Sequence, residues 1–171
     1  MKFIKKILII FFLNIFVNNY VHANEKIVFF DVNVLLNETN IGIKTLKIIN
    51  DLNDKNIQKL KNNEEKLKEQ ENEIKKKQNI ISEVEFNKEV KILKEKAKIF
   101  RNEKNQIVSN FNKEKNQKIK SLFDQMNPII QKYMDQNSID ILLDRKNVYI
   151  GNIGSDITKN IIDEINKKIK N

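Results

Sequence analysis

The chain has 171 residues, a length that suits one domain, and carries 32 Lys or Arg against 23 Asp or Glu, a formal net charge of +9. It contains no cysteine and a single histidine, His22. Disulfides, zinc or thiolate sites and the usual nucleophile–base pairs of enzymes are therefore not expected. We predict a protein that is not an enzyme and that binds no metal and no cofactor.

The first 23 residues have the pattern of a secretory signal peptide. Three lysines precede an apolar run whose length, about 11 residues, falls short of the roughly 20 that span a bilayer. Val21 and Ala23 stand at the positions that precede a cleavage site, which places cleavage before Asn24. The alternative is an uncleaved N-terminal anchor. The pattern predicts export, with residues 24–171 as the mature protein.

The mature chain opens with short elements. Residues 26–31 are rich in β-forming side chains and predict a strand. Residues 32–37 predict a helical turn. Asn40, Ile41 and Gly42 are expected to break this turn before a long helix begins near Ile43.

The middle of the chain, residues 44–127, contains neither glycine nor proline, which suits unbroken helices. In its first half Leu or Ile recurs every seven residues, with Asn53 in the one missing place, at Leu46, Leu60, Leu67, Ile74 and Ile81. In its second half apolar residues recur three, four or seven apart, at Phe86, Val90, Leu93, Ala97, Phe100, Ile107 and Phe111. The pattern changes near Ser82, so we predict an antiparallel helical hairpin that packs as a coiled coil through a thin apolar seam. Because a globular core cannot be this thin, the hairpin is expected to project into solvent as an arm.

The C-terminal part predicts several short elements. Asn127 is expected to cap a new helix with Pro128 in its first turn, and the alternative is a kink in one continuous helix. Residues 138–144 predict a buried strand, and residues 148–150 predict its return strand in a hairpin. Asp156 is expected to cap a last helix whose isoleucines share one face, Ile157, Ile161, Ile162, Ile165 and Ile169.

Residues 24–43 and 128–171 would thus form a small body of about three strands, and residues 44–127 the arm, which gives an α+β fold. Such a body is too small to cover its own sheet edges and apolar faces. We therefore predict an oligomer held by the body, with an interface at Leu35, Leu36, Ile141, Leu142, Leu143 and Ile162.

The two ends of the chain carry sequence stretches in a characteristic order and spacing. Near the start stands Val28-Phe29-Phe30-Asp31-Val32, and near the end stand Ile141-Leu142-Leu143-Asp144 and Asp156-Ile157-Thr158. These stretches resemble the Skp/OmpH family of periplasmic chaperones, and the resemblance covers residues 24–171. It implies a jellyfish-shaped homotrimer in which a small β-barrel body holds three helical arms around a cavity. It also implies that the protein holds unfolded outer-membrane proteins without ATP.

The positive charge is concentrated on the arm, where residues 44–120 include 21 basic and 13 acidic side chains, a net charge of +8. This potential would attract acidic clients or an anionic lipid or lipopolysaccharide surface, and the alternative is a solvated helix face. Candidate client-binding residues are therefore five dispersed lysines and three apolar residues at the end of the arm, Lys68, Lys75, Lys91, Lys98, Lys113, Ile80, Val84 and Phe86. Ile57, off the main stride, is a further possible contact, and the apolar residues could instead close the end of the hairpin.

Two other classes of protein compete with a chaperone. The basic pI of about 9.5 is compatible with nucleic-acid binding, but the export signal and the absence of a base-stacking aromatic platform argue against nucleic acid as a partner. A structural coiled-coil protein of the cell envelope remains the alternative. It predicts an unbroken rod, whereas the β-rich ends favour a compact body.

Overall fold

A computed structural model describes residues 25–169 of the chain. Two short strands and four helices follow one another, with two 3-10 turns after the second strand. In chain order they are β1 (Ile27–Phe30), α1 (Val32–Glu38), α2 (Asn40–Lys77), α3 (Glu83–Gln136), β2 (Ile141–Asp144), the turns Arg145–Asn147 and Ile153–Ser155, and α4 (Thr158–Lys168). The predicted signal peptide, residues 1–23, lies outside the described residues. Within the described part, no helix is both long enough and apolar enough to cross a membrane.

The break between α1 and α2 lies at Thr39, one residue before the predicted break at residues 40–42, which instead form the first turn of α2. The Thr39 hydroxyl donates to the Leu35 carbonyl at 2.8 Å and accepts from the Gly42 amide at 3.1 Å, so one buried side chain ends α1 and caps α2. Gly42 is buried in the first turn of α2. Its role is close packing, since a Cβ at this position would lie 2.3 Å from the Leu36 carbonyl oxygen.

The hairpin is formed by α2 and α3, which contain 38 and 54 residues and are about 57 and 81 Å long. The change of pattern near Ser82 is the turn between them. The Ser82 side chain accepts from the Glu85 amide, and the Glu85 carboxylate accepts from the Ser82 amide, a capping box that starts α3. The predicted antiparallel pair and its turn are therefore present.

The expectation of a new helix at Asn127 is wrong, because α3 runs through Pro128 without a break. Pro128 has no N–H to donate to the carbonyl of residue 124, which ordinarily disfavours a helix interior. The helix continues because its buried face continues, with Leu122 and Met126 before the proline and Ile130 after it. Burial of this face offsets the lost hydrogen bond, and the Pro128 ring itself is exposed.

Within residues 25–169 the sheet has two strands, not the predicted three. β1 and β2 pair in parallel, with Ile27 opposite Ile141 and Phe30 opposite Asp144. The predicted return strand at 148–150 is wrong. The Asp144 carboxylate accepts from the Lys146 amide at 3.2 Å and closes a tight turn, after which Tyr149 and Ile150 are exposed.

The segment after this turn crosses Phe29 of β1 instead of pairing with β2. A Cβ on Gly151 would lie 2.6 Å from the Phe29 ring, which shows how closely the backbone passes. Val-Tyr-Ile has strong strand propensity, but a segment forms a strand only where it can run alongside the edge of another strand. Within one chain the turn leads the segment away from that edge.

One hydrophobic core joins both chain ends to the base of the hairpin. It contains residues from β1, α1, the lower part of α3, α4 and the segments just before β2 and α4, namely Val28, Leu35, Leu122, Met126, Ile130, Ile139, Ile157, Ile161, Ile162 and Ile165. The predicted isoleucine face of α4 is present, with Ile169 half-buried at its end. Leu35 and Ile162 are buried within the single chain, so the expectation that one copy cannot bury them is wrong for these two residues.

Candidate functional site

The arm is held together by a polar ladder as well as by its apolar seam. Three polar contacts between α2 and α3 recur at intervals of seven residues, namely Lys77 with Glu89 at 2.9 Å, Lys96 with Gln70 at 3.0 Å, and Asn63 with Glu103 at 3.0 Å. From one contact to the next, the residue number falls by seven in α2 and rises by seven in α3, as antiparallel packing requires. We call these three contacts the polar ladder, and they set the register of the hairpin.

Glu103 is the most connected residue of the polar ladder. One carboxylate oxygen pairs with the Lys59 ammonium at 2.7 Å, and the other accepts a hydrogen bond from the side-chain amide of Asn63. The hydrogen bond from Lys59 is the largest influence and holds the pKa of the Glu103 carboxyl below its ordinary value, against a partial loss of hydration that would raise it. Glu103 is therefore a charged acceptor that two side chains of α2 share.

Between Ile49 and Leu122 no residue is buried. The seam positions in this stretch are half-buried, because two helices alone cannot enclose a core. The arm thus keeps much of its apolar surface within reach of solvent. Such a surface can offer shallow, dispersed contacts to another chain, and it has no deep site for a small molecule.

The end of the arm places the three predicted apolar residues differently. Ile80 is exposed within the turn and Val84 is exposed in the first turn of α3, whereas Phe86 is half-buried at the start of the seam. Ile80 and Val84 are available for contact with another molecule. Phe86 instead contributes to closing the hairpin.

The five predicted lysines are all exposed and spread along both helices of the arm, Lys68, Lys75, Lys91, Lys98 and Lys113. The structure does not bring them together into one site. Lys75 pairs with Glu71 at 2.7 Å one turn earlier, and this hydrogen bond lowers the pKa of the Glu71 carboxyl. The arrangement provides a diffuse positive field along the arm.

Sequence reasoning missed two exposed isoleucines in the middle of the arm, Ile92 and Ile99. They lie seven residues apart and each directly precedes a seam residue, Leu93 or Phe100. In a two-helix coil only one residue of such an adjacent apolar pair can face the partner helix. These adjacent apolar pairs were therefore a signal in the sequence that one side chain of each pair is exposed.

The body exposes an apolar face on its sheet. Ile27, Ile141 and Leu143 lie on the same side of the two strands and are partly exposed. Tyr149, Ile150 and Ile153 in the following loop are almost fully exposed. Of the predicted interface residues, Ile141 and Leu143 are thus accessible, while Leu36 and Leu142 are half-buried against the core.

A hydrogen-bonded joint centred on Asp156 fixes the loop beside this face. Its carboxylate accepts from Arg145 at 2.8 Å and from both the amide and the hydroxyl of Thr158, and the Thr158 hydroxyl in turn accepts from the Asp31 amide. The N-cap of α4 is Ile157, which makes no side-chain capping bond, so the predicted cap Asp156 lies one residue before the cap position and accepts from the first helical amide, that of Thr158. Arg145 also lies over the Phe29 ring, 5.9 Å from its centre.

Opposing effects set the charge state of Asp156. Partial burial raises the pKa of its carboxyl, but the hydrogen bonds from Thr158 and the neighbouring Arg145 outweigh burial and hold the pKa below its ordinary value. Asp144 behaves in the same way, with Lys146 as the partner. In residues 25–169 no group of three or more His, Asp or Glu side chains is placed to hold a metal ion.

The sequence profile of a known family, described as outer membrane protein (OmpH-like), matches residues 26–165. The chain belongs to the OmpH-like family. A crystal structure of an OmpH-like protein from Caulobacter crescentus CB15, described as a proposed outer membrane chaperone, has the same fold with a TM-score of 0.74. The two chains are 16% identical, and the match covers 86% of this chain and 88% of the other. No curated protein matches the chain significantly.

Proposed function

We propose that this OmpH-like protein is an ATP-independent holdase chaperone of the periplasm that binds unfolded outer-membrane proteins and prevents their aggregation. The observation that carries the proposal is the long hairpin without a buried residue between Ile49 and Leu122, built on a body that is well packed. Membership of the OmpH-like family and the described role of the Caulobacter crescentus protein support the same function.

The proposed mechanism follows from what unfolded outer-membrane proteins need in water. Their strands alternate apolar and polar residues, so the unfolded chains aggregate unless they are shielded. Arms that surround such a chain shield it by geometry, and shallow contacts let it stay mobile and leave. The net charge of +8 on residues 44–120 would speed the capture of acidic clients, an effect that salt screens over about 8 Å at physiological ionic strength.

A single arm cannot enclose a client, so the proposal includes a homotrimer assembled through the body. Its support is the accessible apolar face with Ile141 and Leu143 and the free edge that a two-stranded sheet leaves. The same positive arms would allow contact with an anionic lipid or lipopolysaccharide surface. The predicted signal peptide supports a periplasmic location.

An arm deletion tests the proposed function. The register of the polar ladder places Asp51 opposite Lys115, so a short turn can replace residues 51–115 while Ile49 and Leu122 stay in place. We expect this variant to keep its body and its assembly but to lose suppression of the aggregation of a urea-diluted porin, measured by light scattering without nucleotide. The full-length protein should suppress aggregation equally well with and without ATP.

Two outcomes would contradict the proposal. If the arm-deleted protein suppressed aggregation as well as the full protein, the arms would not form the holding surface. If neither protein suppressed aggregation while both remained folded, a structural coiled-coil role in the cell envelope would be the better account.

A further inference from the structure

Two neighbouring recesses lie on one side of the arm, between α2 and α3. The first has an apolar lining of Leu67, Ile99 and Phe100, and the second has one of Ile74, Ile92 and Leu93. Both recesses share the side chains of Gln70 and Lys96, whose hydrogen bond of 3.0 Å separates them. We call these two spaces together the paired recess.

The size of the paired recess suits side chains rather than a whole ligand. The two spaces measure about 210 and 170 Å³, and a cavity of about 150 Å³ is known to take a benzene-sized group. Each space therefore accommodates one large apolar side chain. Ile99 is 65% exposed and Ile92 47% exposed, so both are accessible to an incoming chain.

The rim of the paired recess has a positive bias. Three lysines and three glutamates line it, and two of the glutamates, Glu89 and Glu103, already pair with lysines of α2, which leaves only Glu73 as an uncompensated acid. Lys96 bonds only the neutral Gln70, and Lys66 makes no ion pair within the described chain, so both cations keep unused capacity for an acid. The chemistry that complements this surface is an apolar side chain flanked by carboxylates.

We propose that the paired recess is the docking surface for extended, acidic segments of the unfolded client, which insert apolar side chains beside Ile92 and Ile99. This inference rests on the proposed function and names the place on the arm where it acts. It differs from contact at the end of the arm, because Ile80 and Val84 line neither space. It also differs from the diffuse field of the lysines, because it requires apolar contact at two defined positions.

The test compares two double variants of the full mature protein. Ile92→Ser with Ile99→Ser removes the exposed apolar side chains of the paired recess. Ile48→Ser with Val108→Ser is the matched control, since these aliphatic residues are also on the arm and are 43% and 49% exposed but line neither space. Circular dichroism should show unchanged helix content for both.

The probes are a labelled, urea-unfolded porin and two synthetic extended peptides. The peptides share the same apolar residues and carry either glutamate or lysine at the polar positions. We expect the recess variant to bind the porin and the glutamate peptide about tenfold more weakly, as the loss of two partly buried aliphatic contacts implies, and the control variant to change by less than about twofold. The lysine peptide should bind the wild type at least about tenfold more weakly than the glutamate peptide.

The outcomes separate this inference from the proposed function. Equal affinity of wild type and recess variant for the porin would overturn the paired recess and leave the holdase role standing. A wild type that does not bind the porin would contradict the holdase role. The binding of the glutamate peptide by wild type and recess variant would then be the test of the paired recess. A recess variant that changes the mass of the assembly instead of client affinity would show that the occupant is another copy of the arm, which also overturns the inference.

Discussion

At the scale of single residues, Asp156 and Gly42 each bring together elements that are far apart in the chain. Asp156 connects the turn after β2 to the start of α4 and, through Thr158, to the first residue before α1. Gly42 lets α2 begin directly against the end of α1. Both residues therefore fix how the elements of the body pack at the base of the arm.

Asp156→Asn should make stability less dependent on acid. Asparagine keeps a capping oxygen but loses the charge, so we expect a loss of about 1 kcal/mol in the free energy of unfolding at neutral pH. Because the pKa of the native carboxyl is lowered, its stabilisation is present above the ordinary Asp pKa of about 3.9 and is lost as pH falls through the native value.

Urea unfolding of wild type and Asp156→Asn between neutral pH and about pH 3 measures this effect, and the two curves should converge at the acidic end. Asp163→Asn is the control, because Asp163 makes only an exposed pair with Lys159 on the same helix and should matter little at any pH. A gap between wild type and Asp156→Asn that stays constant with pH would show that charge plays no part in the joint.

Gly42→Ala should destabilise the body although alanine favours helices. The added methyl would lie 2.3 Å from the Leu36 carbonyl, so backbone must move, and overpacking of this kind costs about 1–3 kcal/mol. The gain in helix propensity is at most about 1 kcal/mol. Gly154→Ala, where the nearest atom would be 3.8 Å away, is the matched control and should change stability by less than about 0.5 kcal/mol. A Gly42→Ala variant as stable as the control would mean that α1 can shift freely.

At the scale of elements, the hairpin has two zones with different packing. Near the body, Ile49 of α2 and Leu122 and Met126 of α3 are buried. Further out, half-buried apolar residues alternate with the polar ladder, and Asn53 stands where the stride of seven would place an apolar residue. The outer zone is therefore held less firmly, which suits the proposed contact with many different client chains.

Asn53→Leu should stabilise the arm, because the substitution completes the apolar stride at a half-buried position. We expect a gain of about 1 kcal/mol, seen as a higher thermal midpoint by circular dichroism. Asn72→Leu makes the same exchange at an exposed position and should give no gain. Equal effects of the two substitutions would show that Asn53 does not face α3.

The hairpin and its turn were predictable because a seven-residue stride is a local signal that any helical partner satisfies. The failures arose where structure depends on contacts across the fold. Gly42 looks like a helix breaker in isolation, and only the neighbouring α1 makes it a packing residue. Residues 148–150 have strand propensity but meet no strand edge. Pro128 remains inside α3 because burial on the opposite face continues past it, which local rules do not weigh.

The candidate site was predictable only in part. The sequence indicated a charged arm with apolar residues at its end, and Ile80 and Val84 are exposed there. The paired recess was not predicted, since it depends on where the side chains of the polar ladder lie relative to the seam. Ile92 and Ile99 each lie one residue before a seam residue. Periodicity identifies the seam but does not show whether the residues beside it are exposed or buried.

At the scale of the whole molecule, one chain presents an arm and an incompletely covered body. The sheet face with Ile141 and Leu143, and the adjoining loop with Tyr149 and Ile153, leave apolar surface exposed that a second and third copy could cover. We therefore expect the body to determine assembly and the arm to determine client binding. This division fits the position of polar Asn53 in the seam of the arm, whereas the core of the body consists of apolar side chains.

The most direct test of this account is the mass of the mature protein in solution, measured by light scattering with and without a urea-diluted, unfolded porin. The account predicts the mass of three chains alone and, without nucleotide, a soluble complex heavier by one porin, forming more slowly as salt rises. A mass that stays unchanged while the porin aggregates would contradict it.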